Sequence, residues 1–259
     1  MKNAILLALI FFLLGCSSAN HFQFEPYLPK TQHAELMLPA WLTNFPDSPD
    51  YVLGVSYLEN DRLKMEGAAK EFAAVQINRN KNSIIISKHA RSYSDQAQFE
   101  VNVSSSIDSL KNCYEELDMI ENVVINNYFL ALFKLKSAIN IHYDKKLISN
   151  QTVSKPDWFS ENHIIENEHI FSFSQSSSEN LIFAFEKAFE ICRIQIADYL
   201  EKNIKSILTN RGKYNEKYVA IETDMLLSNL IISNIFISSK TYDSLSAYTV
   251  YVKMHYSEK

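Results

Sequence analysis

Pro39-Ala40-Trp41-Leu42 returns as Pro156-Asp157-Trp158-Phe159, and these two stretches hold the only tryptophans in the chain. Val75-Gln76-Ile77 returns as Ile194-Gln195-Ile196, and Leu132-Phe133-Lys134-Leu135 as Tyr251-Val252-Lys253-Met254. Three pairs in the same order, each displaced by about 118 residues, mark an internal duplication. The expected layout is a first unit at 39–137, a linker at 138–155 and a second, divergent unit at 156–259.

Each unit repeats one order of periodicities. A strand at 51–57 is matched by one at 169–174. A helix follows. In the first copy Asn60 or Asp61 caps it, and Met65, Ala69, Phe72 and Gln76 form its stripe. In the second, Ser178 is the expected cap, and Leu181, Phe185, Ala188, Cys192 and Tyr199 form the stripe. Strands follow at 83–89 and 203–208, then at 98–103 and 216–221. Short helices are expected at 104–111 and 223–227. Two closing strands lie at 113–121 and 127–136, matched at 230–239 and 247–256, with turns near Glu121-Asn122 and Thr241–Ser244. The resulting order, β-α-β-β-α-β-β in tandem, gives antiparallel-rich sheets with helices on one face, an α+β fold.

Composition narrows the chemistry. The chain has 259 residues, with Lys+Arg 25 against Asp+Glu 30 and a net charge of −5. A mildly acidic chain without a basic cluster lacks the face that nucleic acid requires. With only 4 glycines, none clustered, the phosphate cradles and dinucleotide turns that need several are excluded. Apart from Cys16, the cysteines are Cys113 and Cys192, read as two free thiols rather than a disulfide framework. The 14 tyrosines and 16 phenylalanines point to a large apolar core.

The N-terminus reads as a targeting segment. Lys2 precedes an apolar run from Ala4 to Leu14, shorter than the ~20 residues a bilayer span needs, and then Gly15-Cys16. This is the pattern of a secretory signal. Leu13-Leu14-Gly15-Cys16 resembles the lipobox of bacterial lipoproteins. The resemblance implies cleavage after Gly15, removal of residues 1–15, and acyl chains (diacylglyceryl, palmitate) on Cys16. Residues 16–38 then serve as lipid anchor and tether. Two or more chains, at about 0.8 kcal/mol per buried methylene, hold firmly where one does not. Ser17 after the anchor, with no Asp retention signal, implies the outer membrane.

The body also resembles a known family. Pro-x-Trp, the strand ending Gly54-Val55-Ser56, the alanine-rich helix (Ala68-Ala69 to Ala73-Ala74) and the closing aromatic strand with its lysine (Lys134, Lys253) are similar to the Lpp-twenty family of membrane-associated lipoproteins. The second unit departs from it: Phe171 and Phe173 stand at the positions of Leu53 and Val55, Ser172 replaces the glycine, and the helix lacks alanine pairs. The resemblance implies a non-enzymatic lipoprotein that serves as scaffold or accessory to an envelope structure, such as a flagellar basal disk needed for motility. Its implied partners are other envelope or flagellar proteins, including Lpp-twenty-like lipoproteins or further copies of the chain.

No catalytic or metal constellation is read from the residues, and no cofactor is expected. His163 and His169, among Glu161, Glu166 and Glu168, fit no common zinc spacing and read as a solvated acidic loop. The serine runs 104–106 and 176–178 have no adjacent glycine turn. Glu115 and Glu116, adjacent on a strand, face opposite ways. Trp41 and Trp158 are expected to pin each unit's leading segment to its sheet. The helix at 178–200 is apolar on several sides and needs covering, either by the first unit within the monomer or by another chain; in the second case Phe183 and Ile194 are the partner interface, with open strand edges as a second surface. The alternative function is a periplasmic or surface module that binds a small apolar ligand or cell-wall fragment in an aromatic cleft between the units.

Overall fold

The computed structural model describes residues 31–88, 98–100, 107–149, 155–161, 164–166, 169–209, 222–227, 229–242 and 245–257. Within Thr31–Lys259, which clusters as one compact unit, the chain is α+β with antiparallel sheets. The strands are β1 (Thr31–Ala34), β2 (Met37–Pro39), β3 (Tyr51–Tyr57), β4 (Ser83–Lys88), β5 (Gln98–Glu100), β6 (Leu117–Ile125), β7 (Tyr128–Leu135), β8 (Leu147–Ser149), β9 (Ile164–Glu166), β10 (His169–Ser178), β11 (Glu222–Leu227), β12 (Ile231–Tyr242) and β13 (Leu245–Ser257). The helices are α1 (Ala40–Thr43), α2 (Arg62–Asn82), α3 (Ile107–Glu115) and α4 (Leu181–Thr209). The sheets run β1-β12-β13-β10-β9, β11-β4-β5, β3-β7-β6 and β2-β8.

Strands β3 and β7 are apolar almost without interruption, the pattern of a strand covered on both faces. One face of their sheet carries Val52, Phe129, Ala131 and Phe133. These join Met65, Ala69, Ala73 and Ile77 of α2 in a small core. The other face carries Leu53, Val55, Leu130 and Leu132, which belong to a second, larger core with Phe185 and Phe189 of α4 and Val250 and Val252 of β13. The first sheet is therefore covered by its own helix on one side and by the second half of the chain on the other.

Helix α2 lies close on β3 because Gly54 has no side chain. A Cβ there would fall on the Ala69 carbonyl oxygen and the Phe133 ring. Ser56 Oγ donates to the Met65 carbonyl over 2.9 Å in the same seam. The Asp61 carboxylate starts the helix by accepting from the Leu63 and Lys64 amides at 3.0 and 3.2 Å, as an N-cap does. In the second half, Ser174 Oγ donates to the Ala188 carbonyl at 2.7 Å, again sewing helix to strand.

Several elements differ from the sequence reading. The β6–β7 turn lies at Asn126-Asn127, not Glu121-Asn122. Asn126 takes φ 53°, a left-handed conformation that asparagine tolerates, while Glu121 stays on the strand and pairs with Lys145. The short helix and the strand after it shift accordingly, to 107–115 and 117–125. Residues 203–208 are helical, not a strand; Leu200, Ile204 and Leu208 continue the helical spacing of α4. The expected helix at 223–227 is strand β11, which pairs in antiparallel register with β4 from Leu227↔Ser83 to Glu222↔Lys88. Asn180, not Ser178, caps α4, accepting from the Ile182 and Phe183 amides at 3.0 and 3.3 Å. Part of the expected tether is folded, since β1 pairs with β12 and β2 with β8. The expected linker is strapped down at its start: Tyr51 Oη donates to the Ile139 carbonyl and accepts from the Ile141 amide. The expected strand at 216–221 lies outside the described residues.

Gly54→Ala should therefore lower stability by about 1–3 kcal/mol or more, as overpacking against backbone does. Gly67, whose added Cβ would meet only the Tyr114 hydroxyl at 3.8 Å, should gain about 1 kcal/mol on Gly67→Ala. Urea midpoints of the two variants should move in opposite directions.

Candidate functional site

The two tryptophans are not equivalent. Trp41, in α1, is 2 % exposed and belongs to the large core. Its helix packs on β12, in the other half of the chain. Phe45, just after α1, donates its amide to the Ser233 carbonyl of β12 at 3.1 Å. Trp158 is half-buried. Its neighbour Phe159 makes the edge-on contacts with Phe173 and Tyr251, at centroid distances of 6.5 and 5.1 Å. Thus Trp41 fixes its segment to the opposite half, and on the Trp158 side the covering ring is Phe159. Gly15 and Cys16 lie outside the described residues.

Helix α4 buries one stripe: Leu181, Ala184, Phe185, Ala188, Phe189, Cys192 and Ile196. Phe183 points away from it and is 55 % exposed, while Ile194 is half-buried on the flank. The residues just before α4 meet a row of tyrosines, with Tyr128 Oη donating to the Glu179 carbonyl at 3.3 Å. Tyr57 lies 5.4 Å from Tyr128, and Tyr128 meets Tyr248 edge-on at 5.5 Å. Asn180 Nδ2 donates to Tyr57 Oη and Asn126 Nδ2 to Tyr248 Oη, at 2.8 and 2.9 Å. Among the described residues the free thiols are Cys113, half-buried, and Cys192, buried. Burial pushes the Cys192 thiol up to about 11, so it stays protonated and unreactive.

Arg193 sits on the same stripe and is 1 % exposed. Its Nη2 donates to Gln76 Oε1 at 2.8 Å and Asn80 Oδ1 at 2.7 Å, both on α2. Burial, with Arg79 nearby, lowers its pKa to about 9. The cation is thus held by neutral amide oxygens where two helices from different halves meet. The sequence carried the signal: Arg193 falls one turn after Phe189, in line with the apolar stripe. Asn80→Leu removes one of these acceptors. It should cost about 1.5–3 kcal/mol, the worth of a hydrogen bond to a charged group, read as a loss in thermal and urea stability.

A second polar cluster lies on the outer face of β13. His255 shares a 2.8 Å hydrogen bond between Nδ1 and Ser233 Oγ, and its Nε2 lies 3.6 Å from Asp47 Oδ1. Ser233 sits in a bulge of β12, where the register shifts between Ile232 and Asn234. His169 meets His255 edge-on at 5.1 Å; it opens β10, as the strand expected at 169–174 requires, and does not belong to the solvated acidic loop also read there. Serine, histidine and aspartate follow the order of a hydrolytic triad, but the geometry does not serve one. The 3.6 Å gap exceeds hydrogen-bond length, and Asp47, with its side chain 72 % exposed, is not the buried carboxylate that orients a catalytic imidazole. Among the described residues no group of three or more His, Cys, Asp and Glu is placed to hold a metal ion. Sequence inspection missed this cluster because its members come from distant positions with no local motif.

Burial lowers the His255 pKa from its ordinary 6.5; Asp47 opposes the shift, and His169 and Lys253 add to it. A base whose folded pKa is depressed resists protonation that the unfolded chain accepts. Stability should therefore fall as the pH drops below about 6.5, by at most about 1.4 kcal/mol per pH unit for one proton. His255→Gln should flatten that part of the stability profile. Comparison of the chain with protein-family models, curated proteins and solved structures finds no match.

Proposed function

We propose that this chain is a non-enzymatic lipoprotein, held to the outer membrane through acylated Cys16, that acts as a scaffold or assembly factor for an envelope structure needed for motility, such as a flagellar basal disk. The observation that carries the reading is Leu13-Leu14-Gly15-Cys16 after a short apolar run. In the folded body, no described helix is long and apolar enough to cross a membrane, which leaves the acyl chains as the attachment this reading relies on. The Lpp-twenty resemblance rests on its sequence motifs, without a family-model match.

A tandem origin of the body is part of the same proposal. The sheets β3-β7-β6 and β10-β13-β12 share one order: the first strand pairs with the last, and the last with the one before it. Both place a helix on the first strand, and both sew it there with a buried serine, Ser56 or Ser174, bonded to a helix carbonyl. A penultimate strand with a register shift occurs in both, at Met119/Glu121 and Ile232/Asn234. These parallels support two copies that have grown into one another.

Cys16→Ser should move the protein from the membrane fraction to the soluble periplasmic extract and remove the acyl mass from its N-terminus. Deletion of the gene should stop swimming while growth continues at the normal rate. Unchanged membrane fractionation of the variant would reject the anchor, and a fully motile deletion strain would reject the motility role.

A further inference from the structure

Exposed apolar side chains collect at one end of the body, where β3 finishes and α2 and α4 begin. Tyr57 closes β3 and Leu58 follows it, each about half exposed. Leu63, in the first turn of α2, is 82 % exposed, and Phe183, in the first turn of α4, is 55 % exposed. Hydrogen bonds tie these segments together. Asn180 accepts from the Phe183 amide and donates to Tyr57 Oη, and the Leu58 amide donates to the Asn127 carbonyl at 2.8 Å. The charges between them are matched: Lys64 Nζ lies 2.8 Å from a Glu59 carboxylate oxygen, and Arg62 Nε lies 2.6 Å from one of Glu66.

The chain enters the folded body at the same end. Tyr57 pairs with Tyr128, and Tyr128 meets Tyr248 of β13. From Tyr248, opposite Ser239, the β12–β13 hairpin runs on to its tip at Tyr242↔Leu245. Thr31, where the compact body starts, pairs with Tyr242 at that tip. It stands 15 residues after Cys16, a length of chain that reaches at most about 54 Å. Other exposed apolar groups lie at the far end of these sheets. Ile139 sits at the start of β3, where Tyr51 Oη bonds its carbonyl, and Ile165 sits opposite Ile170 at the start of β10.

We infer that Tyr57, Leu58, Leu63 and Phe183 dock on the lipid leaflet that holds the acyl chains of Cys16, with their side chains in the zone between headgroups and hydrocarbon. This rests on the lipoprotein reading and deepens it by naming the face that the body turns to the bilayer. A bilayer suits these groups better than a protein does. With about 250 Å² allotted to each whole side chain, the four expose no more than about 600 Å², short of the ~800 Å² per partner of a stable protein interface. A tethered surface needs far less, because the anchor keeps the bilayer within reach and makes the contact intramolecular. Tyrosine, phenylalanine and leucine are side chains that settle at a membrane interface, and a fluid surface admits them from separate loops without a shaped groove. The matched charges suit zwitterionic headgroups.

The test uses the full lipidated chain, reconstituted in phosphatidylcholine vesicles whose acyl chains carry a doxyl quencher. In a Cys113→Ser background, where the remaining described thiol Cys192 is buried, single cysteines are labelled with a nitrobenzoxadiazole dye. Leu63→Cys and Phe183→Cys should lose most of their emission to the quencher, whereas Ile139→Cys and Ile165→Cys at the far end should keep theirs. Adding Leu58→Asp and Phe183→Asp should restore the emission at Leu63→Cys, with an unchanged circular dichroism spectrum. Equal quenching at both ends, quenching at the far end alone, or indifference to the aspartates would overturn the docking. A blue-shifted label that the doxyl lipid does not quench would overturn it too, by setting the face against protein. Labels that stay in water on a chain that still floats with the vesicles would overturn the docking and leave the anchor standing, whereas an N-terminus without acyl mass would remove both.

Discussion

A sheet with two apolar faces needs two covers, and the architecture follows from that need. Strands β3 and β7 bury nearly every side chain they carry. Helix α2 can shield only one side of them. The remaining face, with Leu53, Val55, Leu130 and Leu132, finds its cover in α4 and the second large sheet. At about 25 cal/mol per Å² of apolar surface removed from water, this shared core outweighs any single polar contact between the halves.

The polar contacts fix the angle and register of what the apolar core brings together. Arg193 reaches from α4 to Gln76 and Asn80 on α2, and the tyrosine row closes one end. Strand β11 adds itself to β4, so the small third sheet draws on both halves. A buried guanidinium without a carboxylate is costly by itself. It ties the two helices together, because the same guanidinium nitrogen holds an amide oxygen from each of two side chains on α2.

Much of the local structure was legible in the sequence. The strand at 51–57, the strand expected from 83, the helix with Asn60 or Asp61 as its cap, the second closing hairpin and the free thiols Cys113 and Cys192 follow from periodicity and composition. The continuous run Tyr128-Phe129-Leu130-Ala131-Leu132-Phe133 also announced a strand buried on both sides, yet the expected order of elements put helices on one face only. The exchanges between halves were not legible. Which strand β4 would take as neighbour, and that Trp41 would settle beside β12, depend on long-range packing that no short window encodes. The polarity of Glu121-Asn122 suggested a turn because an edge strand's charged residues resemble a loop's. The His255 cluster was hidden for a simpler reason, since its parts meet only once the chain is folded.

The pairing of β1 with β12 joins the beginning of the folded body to its end. A ribosome makes Thr31–Ala34 long before Ser239–Tyr242, and Ser83–Lys88 long before Glu222–Leu227. The early strands must wait for late ones, and contacts so distant along the chain slow folding because a long loop must close before they form. The folded body thus stays unfinished until β11 and β12 are available, and loss of those two strands would strip β1 and β4 of their neighbours as well.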